Sequence, residues 1–192
     1  MHFALKQIIE FISEYTDVSE DEIAAMAAVM HIDSIQKNVV FHQQGKVVKR
    51  IGLILEGAVR TYYVDDKGQE HTVGLKFENY PLVSIDSFTQ QTPAMLNAIT
   101  LEPTVVVWTS RQEFFDFLET YPKYEKVLRN VMSRFLTFQS EHVKLLRITS
   151  PRERYEMLCK NQPEVIKRVP LKYVASYLDM AMETLSRVRS IR

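Results

Sequence analysis

The chain has 192 residues, 46% hydrophobic and 25% charged, with five Gly and seven Pro, which is the composition of an ordinary folded protein of one large or two small domains. Nothing approaches the run of about eighteen apolar residues that a membrane span needs, and no basic segment precedes an apolar stretch at the start, so neither a span nor a secretion signal is expected and a cytoplasmic location follows. The single cysteine, Cys159, excludes an internal disulfide and any multi-cysteine iron–sulfur or zinc site, and it reads as a buried helical residue.

Residues 3–15 show mixed helical spacing, and Ser19 with Glu22 forms a capping box that opens a second helix through Ile23, Met26, Ala27 and Met30. From His31 the character changes. Val39–Phe41, Val47-Val48, Ile51–Leu55 and Val59–Val64 are short β-rich runs separated by Gly45, Glu56-Gly57 and Asp65–Gly68. Gly and Asp tolerate the positive φ of tight turns, so Asp66-Lys67-Gly68 reads as the turn of a hairpin to His71–Val73. Further strands are expected at Gly74–Phe77, Leu96–Leu101 and Thr104–Thr109, and strands this short and evenly spaced indicate a small barrel or jelly roll.

After Ser110 the pattern turns helical. Ser110 and Glu113 form a second capping box, and Pro122 sits where a first-turn proline opens a long helix to about Arg147. Within it Leu128, Val131, Phe135, Phe138, His142 and Leu145 fall at spacings of 3, 4, 3, 4 and 3, a heptad seam over nearly three repeats. Tyr124, Val127, Met132 and Leu136 lie on another face. One face is expected to cover the roll while the seam meets an identical helix, making a homodimer. Ser150, Pro151 and Glu153 then restart a helix, the clearest boundary in the chain.

The division expected is a sensor roll over 1–120, a dimerisation helix and hinge over 121–149, and a helix-turn-helix over 150–192. The net charge is zero, but from Arg147 onward ten Lys/Arg face five Asp/Glu, which places any phosphate contact at the end of the chain. Leu171, Val174, Ala175 and Leu178 share one helical face, and the small Ala175 lets a second helix cross closely. Asp179-Met180-Ala181 fits a three-residue turn with Asp179 at an αL position. The next helix points Leu185, Val188 and Ile191 inward, while Glu183, Thr184, Ser186, Arg187, Arg189 and Arg192 occupy its other faces. Such a helix suits the major groove of double-stranded DNA, with Arg187 reading guanine, Glu183 reading a cytosine amino group, and Thr184, Ser186 and Lys172 touching phosphates. An ordinary helical hairpin with a basic exposed face has the same periodicity.

Val174–Leu178 followed by Glu183–Arg187 resembles the helix-turn-helix of the Crp/Fnr regulators. Leu53–Val59 is similar to that family's strand–Gly–strand signature, Asp66–Glu70 to its next hairpin, and Ile148-Thr149 to its hinge. The resemblance implies an α+β protein with a cyclic-nucleotide-binding-like β-roll, a long dimerisation helix and a winged-helix-like DNA-binding domain. It further implies promoter DNA, RNA polymerase and a small-molecule effector as partners. Glu183 and Arg187 match two base-reading positions, whereas Met182 replaces the third, an arginine, and Asp179 replaces the turn glycine. A different operator is therefore expected. The family's wing follows the recognition helix, and the sequence ends at Arg192, so little or no wing is expected.

Cyclic-nucleotide binding in this fold needs a Gly-Glu pair and then a phosphate-binding arginine. The stretch Asn79–Phe88 has no Gly-Glu, and Leu96 stands about where the arginine belongs, so cyclic AMP is not the expected effector. Arg60, Tyr62, Ser84, Asp86, Ser87 and Thr137 are the candidates to line a pocket for another ligand. No cofactor is expected. The five histidines never fall at metal-ligand spacing, and no nucleophile elbow or phosphate loop is present, so neither a metal site, a catalytic residue nor an enzyme is expected. The rival to a regulator is a dimeric protein-interaction module on the same fold that has lost DNA reading.

Overall fold

The computed structural model describes residues 2–148 and 150–190. Two helices, α1 (His2–Ser13) and α2 (Glu20–Val29), lead into the strands β1 (His31–Ile35), β2 (Val40–His42), β3 (Arg50–Glu56), β4 (Val59–Val64), β5 (Glu70–Lys76) and β6 (Pro81–Leu82). A short α3 (Ile85–Gln90) precedes β7 (Asn97–Thr100) and β8 (Thr104–Ser110). Helices α4 (Arg111–Thr120), α5 (Tyr124–Arg147), α6 (Pro151–Asn161), α7 (Pro163–Arg168), α8 (Leu171–Tyr177) and α9 (Met182–Ser190) complete the chain. The architecture is the expected α+β roll, long helix and helical C-terminal unit.

Local chemistry sets many of these boundaries. Ser19 and Ser110 each accept from the amide three residues on, while Glu22 and Glu113 reach back, so both expected capping boxes form. Ser150 likewise accepts from the Glu153 amide at the start of α6, with Pro151 in the first turn. At the tip of the β4–β5 hairpin the Asp65 carboxylate accepts from the amides of Lys67 and Gln69, both at 2.9 Å. Three features were not legible beforehand. The cassette holds a short helix, α3; Pro163 opens a separate helix, α7; and Gly74 belongs to the same strand as the hairpin arm, β5.

The strands make two four-stranded sheets, ordered β1-β8-β3-β6 and β2-β7-β4-β5, antiparallel throughout. Their inner faces meet over Phe41, Ile54, Val59, Leu82, Ala98 and Val106. A second core lies outside the first sheet, where Ile8, Ile12 and Met26 of α1 and α2 pack with Leu55, Val107 and Tyr124 and Val127 of α5. A third joins Ala58, Leu75 and Leu101 of the roll to Leu145, Tyr155, Leu158, Val174 and Leu178 of the C-terminal helices. The C-terminal unit is therefore packed on the roll, with β4 and β5 between it and the roll interior. Among the described residues no helix is long and apolar enough to cross a membrane.

Candidate nucleic-acid interface and sensor cavity

Helix α8 ends as the sequence suggested. Asp179 adopts φ +49°, and the Met180 amide donates back to the Ala175 carbonyl at 3.0 Å. Val174, Ala175, Leu178 and Leu185 are at most 2% exposed, so the two helices cross over a closed apolar contact. Glu183, Ser186, Arg187 and Arg189 of α9 are exposed, as is Lys172 of α8, while Thr184 is half-buried and holds the Arg187 guanidinium at 3.4 Å. Arg189 stands close enough to Tyr155 to oppose the upward push that burial and Cys159 give its hydroxyl. Among the described residues Lys172, Arg187 and Arg189 make no ion pair, whereas Arg152, Lys167 and Arg168 are held by Glu156, Glu164 and the Glu78–Glu102 pair. The expected inward Ile191, outward Arg192 and the Thr149 part of the hinge lie outside the described residues.

The two units touch through a polar latch. Arg60, 2% exposed, is clamped between the Tyr62 ring of β4 and the Tyr173 ring of α8, 4.2 and 4.1 Å from their centroids. Its Nε donates to Thr72 Oγ1 at 2.8 Å and its outer nitrogen pairs with Glu70. The Thr72 amide donates to Ser176 Oγ of α8 at 2.9 Å. Nearby, Arg168 of α7 bonds both Glu78 oxygens, at 2.9 and 2.7 Å, and also Glu102. That pairing holds the Glu78 carboxyl down at about 2. The latch uses α7 and α8 and leaves the outer row of α9 uncovered.

Along the long helix the seam is partly covered by its own chain, five of its six residues being half-buried and Leu145 buried. The six seam residues face their own chain. Leu128 and Val131 line an apolar cavity of about 190 Å³ between α1, α2, α5 and the first sheet. Phe135 and Phe138 lie against the Tyr80 ring, at 6.2 and 5.3 Å between centroids. His142 stacks on Tyr177 at 4.0 Å and its Nε2–H donates to the Tyr177 carbonyl, while Leu145 is 6% exposed in the third core. What α5 leaves exposed is Leu136 at 64%, Val143 at 57% and Leu146 at 37%. A seam at heptad spacing suits packing on a chain's own domains as well as on a second copy, and here three surfaces claim it.

Inside the roll is a second cavity of about 520 Å³, lined by β4, β5, β6, α3, β7 and α5. Of the six residues expected to line a pocket, Ser84 and Asp86 do so, joined by a Ser84 Oγ–H bond to Asp86 at 2.7 Å. Arg60 and Tyr62 do not. They lie on the outer face of β4, in the latch. Ser87 is fully buried in the packing, accepting from the Val48 amide and donating to the Thr92 carbonyl. Thr137 is exposed on α5 and bonds its own helix at Ser133. The cavity is also not without a cation, which corrects the premise drawn from Leu96: Lys76 lines it, 7% exposed, with Leu96 on the same wall. Burial alone lowers the Lys76 pKa to about 8. His42 on the same wall is driven down to about 4, chiefly by burial, and its Nε2–H donates to the Leu82 carbonyl at 3.3 Å. The signal for Lys76 was its strand phase. It lies two residues beyond Gly74, whose lack of a side chain admits Thr61, so both point inward. Among the described residues no three His, Cys, Asp or Glu groups stand together as a metal site.

The chain is thus of the class in which a two-sheet roll around a cavity is followed by a long helix and a helical C-terminal unit. Residues 32–121 match the family of the cyclic nucleotide-binding domain. No curated protein sequence matches the chain. Among solved structures, the c-di-GMP responsive global regulator CLP of Xanthomonas campestris resembles it with a TM-score of 0.71 at 14% identity, over 88% of this chain and 89% of that one. FixK2 of Bradyrhizobium japonicum gives 0.70 at 17% identity, over 84% and 83%. The catabolite activator protein of Thermus thermophilus gives 0.56 at 18% identity, over 91% and 83%. At these identities the likeness is one of fold.

Proposed function

We propose that the protein is a DNA-binding transcription regulator that reads a specific operator as a homodimer and is modulated by an effector other than cyclic AMP, bound in the roll. The observation that carries this reading is α9, which buries Leu185 against α8 and presents Glu183, Ser186, Arg187 and Arg189 outward. That geometry fits a major groove, where Arg187 can bond guanine O6 and N7. The absence of a Gly-Glu pair around β6 and α3 supports the exclusion of cyclic AMP. The three-part division at about residues 120 and 149 goes with this reading. For the second copy α5 offers two rows, the half-buried seam of Leu128, Val131, Phe135, Phe138 and His142 that ends in the buried Leu145, and the exposed Leu136, Val143 and Leu146.

The test is fluorescence-anisotropy binding to a promoter pool at several salt concentrations, followed by selection of the preferred sequence. Wild type is expected to bind with a steep salt dependence and to prefer its selected site. Arg187→Ala, with dimer mass unchanged, is expected to weaken that site by about 10–100-fold, the cost of one bidentate base contact. Equal binding of all sequences by both proteins rejects operator reading and favours the protein-interaction module. The exposed Met182 at the tip of α9, 42% accessible, is the feature that suits such a partner.

A further inference from the structure

Lys76 is a buried cation that makes no ion pair among the described residues. It is 7% exposed, and no carboxylate among the described residues acts on its charge. Its Nζ lies 5.2 Å from the Tyr80 ring centroid and 5.9 Å from that of Phe135, contacts too weak to offset the loss of water around an ammonium. A lysine kept unpaired inside a fold is costly and is replaced by an apolar residue at no loss, unless something else supplies the charge. The side chain borders a cavity of about 520 Å³, within the range of small-molecule sites. The walls around it are largely apolar, with Leu82 and Leu96 from the sheet and Phe135 and Phe138 from α5.

The ionisable groups on the walls limit the charge a ligand brings. His42 is neutral near pH 7, since its pKa lies at about 4. Asp86 of α3 is the carboxylate of the cavity and already accepts from Ser84. Helix α5 contributes Phe135, Phe138 and Gln139 and no charge. One cation and one carboxylate on the walls of a largely apolar cavity suit a single negative charge, because a second would meet Asp86 uncompensated.

We propose that the roll cavity is a receptor for a small, singly charged organic anion with an apolar body, whose charged group rests on Lys76 Nζ. This deepens the sensor half of the proposed regulator by naming the chemical class of its effector. A carboxylate and a cyclic phosphodiester share that charge, and the probes below separate them.

The experiment is isothermal titration calorimetry of the full chain in the absence of DNA, with decanoate, decan-1-ol and cyclic AMP as probes. Decanoate is expected to bind wild type at least about tenfold more tightly than decan-1-ol, and Lys76→Met is expected to abolish that preference. Between pH 7 and pH 9.5 decanoate affinity is expected to fall at least about tenfold, as Lys76 loses its proton while the ligand stays ionised. His42 is neutral across that interval, and burial pushes the Tyr80 hydroxyl, whose ring Lys76 faces, above it. Near pH 8 binding is expected to take up protons, read as a heat that differs between buffers of different ionisation enthalpy. This measurement needs only the wild-type chain. Cyclic AMP binding tighter than that of decanoate, removed by Lys76→Met, assigns the cavity to a cyclic nucleotide and overturns both the apolar-anion class and the exclusion of cyclic AMP. Cyclic AMP or decanoate binding that survives the substitution overturns the anion site, as do equal affinities for acid and alcohol, or no binding of either anion up to about 10 mM. Because no DNA is present, such a failure leaves operator reading standing, and loss of operator reading leaves this site standing.

Discussion

At Gly57 the chain passes from β3 to β4 with φ +104°, and an added Cβ would lie 2.5 Å from Thr104 Oγ1 and 2.7 Å from its Cα. Backbone strain and overlap act together there. Gly57→Ala is expected to cost about 3 kcal/mol or more. For a chain of this size that is a fall in Tm of roughly 6–12 °C by calorimetry. Gly68→Ala, at φ +78° with nothing within 4 Å, is the control and should lose only the smaller dihedral share. Both glycines were legible in the sequence as turn residues, but the difference between them was not, because it depends on Thr104, 47 positions from Gly57. Arg60 shows the converse. Residues 59 to 62 are all buried, β4 being covered by the roll interior on one face and α8 on the other. A strand buried on both faces shows no apolar–polar alternation, so the sequence cannot set its phase, and Arg60 was read into the cavity it turns away from.

At the scale of elements, caps were the most legible feature. Ser19, Ser110 and Ser150 act on amides three residues away, and local chemistry decides them. The short α3 and α7, six residues each, carry too few turns to show a helical period. Helix α5 had the clearest period and the least certain partner. Its 24 residues touch α1 and α2, the roll and the C-terminal helices in turn, so the apolar row nearest a heptad is half-buried against its own chain. If the remaining row makes the dimer, Leu136→Glu with Val143→Glu is expected to give a monomer by light scattering, with the thermal transition of the single chain preserved. Leu145→Glu is expected to unfold the C-terminal core instead, since that side chain is 6% exposed among apolar neighbours. A double variant that stays dimeric rejects the exposed row as the interface.

At the scale of the whole molecule, the C-terminal unit is held by few but specific contacts, and Arg168 is the most concentrated of them, with four hydrogen bonds onto Glu78 and Glu102 beyond a stack on Phe77 at 4.9 Å. Arg168→Ala leaves both carboxylates without a counter-charge, Glu78 keeping the Gly57 amide at 2.9 Å, and is expected to weaken the docking by about 1–3 kcal/mol. Amide exchange in β5 and α8 should then speed by about tenfold or more while α1 and α2 keep their protection, as read by hydrogen–deuterium exchange. Equal protection in both proteins would show that the apolar contacts of Ala58, Leu75 and Leu101 hold the units without it. None of this docking was legible in sequence, because it joins residues up to 104 positions apart, as in the Thr72–Ser176 bond.

The two faces of β5 lead different lives. Lys76 and Gly74 look into the cavity, whereas Leu75 and Thr72 meet the C-terminal helices. A single strand thus carries two sets of side chains, and the bulge at Val73, where Thr61 pairs Gly74 but Tyr62 pairs Thr72, shifts the alternation so that Thr72 shares the outer face with Leu75. Under the proposed function the inner set can change with the ligand while the outer set keeps its contacts with the C-terminal helices, so a scaffold of this kind can take up a new signal without rebuilding its docking.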